Sequence, residues 1–253
     1  MAVKRKLWPR YVSVGTVPEF PKYPCPTCAD GRLVLKEGSY VCRETALSER
    51  FRQKDSDWEP EWTEERFSAF LECDEKACGE MVVVSGDTAV VPAWDDEYGQ
   101  VLASVVKPRS MTPAPHLFVL PPSLPSKVVT QLQLAFALYW ADRGACVSRL
   151  RTSLEAVLDD KGIATTGLDK KNKPYRLNLG QRIELFEKKF GEPDNAESMH
   201  ALRVIGNLGT HGDEPDGDVL FDAIDVYEDA LLEVYEGKTA KLKATKLKLK
   251  AMK

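Results

Sequence analysis

The chain has 253 residues, 43% hydrophobic and 29% charged, the composition of a soluble protein with one large domain or two ordinary ones. No window approaches the ~18 consecutive apolar residues of a bilayer span, and the basic start M-A-V-K-R-K-L-W-P-R lacks the apolar core of a signal peptide. The formal charge of −4 hides an asymmetry: residues 238–253 carry seven lysines and no acid, and removing them leaves −11 on the rest, so any nucleic-acid binding must be local.

Six cysteines without an export signal predict a reducing, cytoplasmic setting and a metal site, not a disulfide framework. After an irregular, Pro-containing start, Cys25-Pro-Thr-Cys28 with Gly31 close behind reads as a knuckle, a tight turn that aims two thiolates at one point. The strand candidate Arg32–Lys36 follows. The second knuckle, Cys73 to Cys78 with Gly79, is preceded by apolar Phe67–Leu71. A strand pair follows it, Met81–Ser85 and Thr88–Val91, around a Gly86-Asp87 turn. Two such knuckles would place Cys25, Cys28, Cys73 and Cys78 around one structural, tetrahedral Zn²⁺. This part resembles a zinc ribbon, although the second pair has four intervening residues and the gap between pairs is long. The gap, 44–65, reads as a charged insertion with helix around Thr45–Gln53. Cys42 has no Cys or His at knuckle spacing. It could replace a ligand, but reads better as a small buried side chain.

A strand candidate, Tyr98–Val106, closes the region. Six prolines in 108–125 predict an extended linker, and His116 within it stands in no motif. Helical periodicity begins at Ser126, with helices expected over Lys127–Asp142, Ala145–Lys161, Leu179–Phe190, from about Asp194 through the stretch Met199–Gly212, and Val219–Tyr235. The loop 164–176 is polar. Ser123 or Ser126 could cap the first helix. The expected fold is α+β and multidomain: a small β-rich zinc ribbon with a charged insertion (1–107), a Pro-rich linker (108–125), an all-α bundle (126–237) and a Lys-rich tail (238–253).

In M-H-A-L-R-V-I-G-N-L-G-T-H-G, four-residue spacing puts Arg203, Asn207 and His211 in a row on one helix face, with Leu202, Ile205 and Leu208 directed elsewhere. That row can be a hydrogen-bond network tying helices together, or a site for proton transfer and phosphate binding. Gly206 and Gly209 suggest close packing or a close partner. Arg149 and Arg151 are candidate helpers. In the tail, Lys241, Lys243, Lys246, Lys248 and Lys250 make either a solvated, disordered tail or an electrostatic arm for RNA, DNA or an acidic partner. Phosphate-loop, serine-hydrolase, zincin and dinucleotide motifs are absent from the sequence, and Cys146 on an apolar helix argues against a thiol nucleophile.

The helical half resembles the bacterial domain of unknown function 4145. The resemblance rests on the Pro-rich approach ending in L-P-S, on R-L-R-T-S-L-E, on L-N-L-G-Q-R-I and above all on L-R-V-I-G-N-L-G-T-H. That family is grouped with the HEPN superfamily of helical domains. The resemblance implies a HEPN-like bundle acting as a homodimer in a phage-defence or restriction-like system. It also implies binding of nucleic acid or a partner protein, and the lack of a bilayer-length apolar window predicts no membrane partner. Alternatively it implies a metal-independent endoribonuclease with His211 as proton-transfer group, Arg203 as phosphate clamp and Asn207 as orienting group. The family hallmark R-x(4–6)-H is not reproduced, since seven residues separate Arg203 from His211.

Overall fold

The computed structural model describes residues 4–28, 30–208 and 216–250. The chain forms two compact units, Lys4–His116 and Leu117 onward.

The first unit is one six-stranded antiparallel sheet, curled into a half-barrel. Its order is β1 (Val12–Ser13), β6 (Gly99–Thr112), β5 (Met81–Asp95), β4 (Glu65–Cys73) and β2 (Leu33–Leu35), with β3 (Val41–Glu44) also paired to β4. This corrects the expectation of a small zinc ribbon. The difference lies in strand length, because β5 and β6 run for 15 and 14 residues. Gly86-Asp87 is not a turn. The strand passes through it, and the chain reverses at 95–99, where Asp95 Oδ1 accepts the amides of Glu97 and Tyr98 at 2.9 and 3.0 Å.

Gly86 is a glycine for steric reasons. A Cβ there would stand 2.1 Å from the Lys107 carbonyl oxygen and 2.9 Å from the Phe67 ring, and the register shifts between Ser85 and Gly86. Pro108 faces Gly86 at this irregularity, which lets β6 continue into the Pro-rich stretch as far as Thr112. Phe67, Ala69 and Leu71 alternate inward from β4 and Val82 and Val84 from β5, to meet Trp8, Tyr23, Leu33, Val106 and Met111. The Trp8 and Tyr23 rings lie 5.5 Å apart in this core.

The charged insertion is ordered onto the sheet. Helix α1 (Ala46–Lys54) is capped by Thr45, whose side chain accepts the Ser48 amide. Glu44 accepts from the Ser48 hydroxyl at 2.9 Å and from Arg52 at 2.9 and 3.3 Å, and Ser48 Oγ in turn accepts the Glu64 amide.

The second unit is helical: α2 (Ser126–Ala141), α3 (Arg143–Asp160), α4 (Leu179–Phe190), α5 (Pro193–Leu208), α6 (Gly217–Glu236) and α7 (Lys238–Lys250). Pro125 holds the N-cap position of α2 with no side-chain cap, so neither Ser123 nor Ser126 plays that part. Asp142 caps α3 through the Ala145 amide. Asn178 and Gln181 form a reciprocal capping box on α4, and Gly191 ends that helix in the left-handed region. The polar loop after α3 contains a hairpin, β7 (Thr166–Leu168) with β8 (Pro174–Arg176).

Helix α3 packs against α2, α4 and α5. Leu150, Leu154 and Val157 of α3 join Phe136, Ile183, Leu202, Ile224 and Tyr227 in the core. Within it Ser153 Oγ and the Tyr227 hydroxyl share a 2.8 Å hydrogen bond, while Ser153 donates to the Leu150 carbonyl at 2.6 Å. The tail, whose charge alone suits a solvated, disordered segment, is helical as far as described. All of α7 is exposed. Lys, Leu and Ala are strong helix formers, and Lys241 pairs with Glu236 at 2.9 Å while Lys238 pairs with Asp229.

Candidate metal centre

Backbone hydrogen bonds shape each knuckle. In the first, the Cys25 amide donates to the Gly31 carbonyl and Leu33 N–H to Tyr23 O, so Cys25 to Gly31 closes as a small loop at the start of β2. In the second, Cys73 ends β4, its amide donates to Glu80 O, and the Cys78 amide donates to Glu75 O. Leu33 lies opposite Cys73 in the sheet, and Asp74 clasps Arg32 with both a backbone and a side-chain hydrogen bond, at 2.9 and 2.6 Å. Two short turns far apart in sequence therefore meet at one end of the sheet. Thr27 Oγ1 donates to the Glu80 carboxylate across the same join.

There the four sulfurs of Cys25, Cys28, Cys73 and Cys78 lie within 4.8 Å of one another. Cys25 Sγ to Cys78 Sγ is 3.7 Å, and so is Cys28 Sγ to Cys73 Sγ. A disulfide needs about 2.05 Å. A tetrahedral ion with metal–sulfur bonds of about 2.3 Å places its sulfurs about 3.8 Å apart. The thiols are free, and their spacing fits ligands of one ion.

Backbone amides surround the sulfurs. Thr27 N–H donates to Cys25 and Gly31 N–H to Cys28, each at 3.4 Å. The Gly31 amide draws the Cys28 thiol below its ordinary pKa. Burial pushes Cys73 up to about 12, against the pull of the Glu75 amide. At Cys78 the Glu80 amide pulls downward, but burial and the Cys28 and Cys25 thiols outweigh it and the value rises. Crowded thiols resist joint ionisation, and a bound cation removes that resistance. Gly31 is dictated by the cluster, since a Cβ there would stand 2.1 Å from Cys73 Sγ and 3.0 Å from Cys28 Sγ.

Cys42 lies elsewhere, on β3 opposite Phe67, half-buried and with its thiol pKa raised mainly by burial. Cys146 is fully buried on α3 and its pKa is pushed to about 12 by burial, which suits packing and not nucleophilic attack.

Two members of the predicted polar row, Arg203 and Asn207, fall on α5. Arg203 is half-buried there, and its Nε is a buried donor with no hydrogen-bond acceptor among the described residues. Asn207 is in the last turn of α5, and its side chain lies outside the described residues, as does His211 altogether. Arg149 and Arg151 part company: Arg149 donates to Gln131 of α2 at 3.1 Å, whereas Arg151 packs against Gly206 of α5. A Cβ at Gly206 would come within 3.0 Å of the Arg151 stem, so this glycine marks close packing. Lys241, Lys243, Lys246, Lys248 and Lys250 are all exposed on α7. The sequence reading missed Arg176 and Arg182, which border a cleft with Arg151. The motif L-N-L-G-Q-R-I contained Arg182, but only the fold brings it to Arg151.

No helix among the described residues is long and apolar enough to cross a membrane. Residues 16–109 match a family model described as a domain of unknown function (DUF8608), so the cysteine-bearing region matches a family of its own. Residues 133–251 match the domain of unknown function (DUF4145), the family that the helical half resembles by its motifs. No curated protein and no solved structure matches the chain.

Proposed function

We propose that this protein is a zinc-braced interaction module. Zn²⁺ in the four-thiolate centre fastens the two knuckles of the β unit. The helical unit is a HEPN-like bundle that forms a homodimer and binds nucleic acid or a partner protein, in a bacterial phage-defence or restriction-like system in the cytoplasm. The observation that carries this reading is the closed set of four sulfurs. Four thiolates fill a tetrahedral ion and leave no position for water or substrate, so the metal braces and does not catalyse. Thiolates in tetrahedral array favour zinc over hard cations. The lysines of α7, wholly exposed, supply a cationic element for phosphate contacts.

The test is metal analysis joined to binding. One zinc per chain is expected, lost when Cys25 and Cys73 are both changed to serine and kept in Cys42→Ser. Retarded migration of RNA or DNA, weakening steeply with salt, is expected of the wild type. No zinc, or zinc retained in the double variant, removes the metal reading. A monomer in analytical ultracentrifugation removes the dimer.

A second reading, a metal-independent endoribonuclease using His211 with Arg203 and Asn207, is favoured by one observation: Arg203 offers a buried guanidinium N–H that has no acceptor among the described residues. Cleavage of total RNA without added metal by wild type, and not by His211→Ala, would establish it. Equal inactivity of both leaves the binding module.

A further inference from the structure

The helical unit holds a cleft of about 290 Å³ between α3, the β7–β8 hairpin and the first turn of α4. Arg151 and Glu155 border it from α3, Thr165 and Arg176 from the hairpin, and Asn178 and Arg182 from α4. Arg203 stands beside it, because a Cβ at Gly180, in the first turn of α4, would lie 3.7 Å from Arg203 Nε and 3.8 Å from its Cδ. Arg182 is only 6% exposed. Its Nη2 holds Asp159 at 2.7 Å and the Ile163 carbonyl at 3.2 Å, yet its Nε finds no hydrogen-bond acceptor among the described residues. Arg203 Nε is in the same condition. Two buried guanidinium N–H groups, one on the cleft wall and one against the first turn of α4, lack an oxygen acceptor among the described residues.

We infer that this cleft binds the phosphate group of a phosphate monoester. Arg151, Arg176 and Arg182 line the cleft with Glu155, Arg203 stands beside it, and Asp159 is shared by Arg182 and Lys127. Guanidinium forks suit phosphate oxygens in geometry as well as charge, and the N-terminus of the 12-residue α4 adds its positive end. The volume lies at the low end for ligand pockets (about 300–1,000 Å³), which favours a compact terminal phosphate over an extended strand. The monoester can be a mononucleotide or the 5′ end of a nucleic-acid strand. The inference does not depend on the zinc or on His211.

Titration calorimetry on the full chain tests it, at constant ionic strength set with chloride. The probes are inorganic phosphate, a nucleoside 5′-monophosphate, and a short oligonucleotide with and without a 5′-phosphate. Saturable binding of phosphate is expected, weakened at least about tenfold by loss of one charge-assisted contact in Arg176→Gln or Arg203→Gln. Arg176 is exposed on the hairpin, so Arg176→Gln should melt like wild type in chloride, which separates lost binding from lost folding. Tighter binding of the mononucleotide places the source in a small molecule, and tighter binding of the 5′-phosphorylated strand places it at a strand end. Equal binding of the 5′-hydroxyl strand, equal binding of phosphate by Arg176→Gln, or no saturable binding at all would each overturn the inference. Salt-dependent retention of long RNA by α7 should persist in Arg176→Gln, so the two binding readings fail separately.

Discussion

Gly31 is the residue at which the metal centre can be tested without touching a ligand. Its missing Cβ is the space that Cys73 Sγ occupies, at 2.1 Å. Gly31→Ala must push the knuckles apart, so zinc content should fall well below one per chain. Gly15→Ala is the control, because its Cβ would meet nothing closer than 3.9 Å. Full zinc retention in Gly31→Ala would show that the thiols are not held as the geometry requires. In the helical core, Tyr227→Phe removes the hydrogen bond to Ser153 but leaves Ser153 bonded to the Leu150 carbonyl. No donor is orphaned, so the cost should be only about 1 kcal/mol in chemical denaturation. A loss several times larger would mean that the pair supports more than itself.

At the scale of elements, the tie between β3 and α1 is electrostatic. Arg52, then the Ser48 hydroxyl, holds the Glu44 carboxyl below the ordinary value of 4.5. A depressed folded-state pKa stabilises fully above the ordinary carboxylate value, and that contribution is lost as pH falls through the lower folded value. Melting temperature should therefore drop on acidification in wild type, and Glu44→Gln should flatten part of that acid limb. Identical acid limbs would remove the tie. The start of α4 rests on Asn178 and Gln181, and Asn178→Ala should cost about 1 kcal/mol. Helix α7 buries none of its residues. Its deletion should leave the melting temperature unchanged and reduce the salt slope of nucleic-acid binding by about 0.7–0.9 for each lysine that had met a phosphate.

For the whole molecule, the division into two units makes a thermodynamic prediction. All four thiols lie within Lys4–His116, and each unit has its own apolar core. Metal binding stabilises only the unit that contains the site. Calorimetry should show two transitions, with a strong chelator lowering one and leaving the helical transition in place. A single transition that moves as a whole would show that the units unfold together.

Much of this was legible in the order of residues. Paired cysteines at knuckle spacing announced one four-thiol cluster, because turn geometry and ligand spacing are local properties. Helix periodicity and the glycine after Phe190 placed α4 at Leu179–Phe190, because both signals are local, while the Asn178–Gln181 capping box was seen only in the structure. Two features were not legible. Gly86-Asp87 has turn chemistry, but the carbonyl of Lys107, 21 positions on, makes Gly86 a point of close approach inside a long strand. The zinc-ribbon reading failed for that reason: local signals mark where a strand bends, not how far its partner extends. The meeting of Arg151, Arg176, Arg182 and Arg203 belongs to four separate elements with no common spacing, so only the packing of α3, α4, α5 and the hairpin creates it. His211, central to the motif, lies outside the described residues. The sequence alone determined which side chains could carry metal and charge. The tertiary structure decided which of them share a site, because that depends on contacts between residues far apart in the chain.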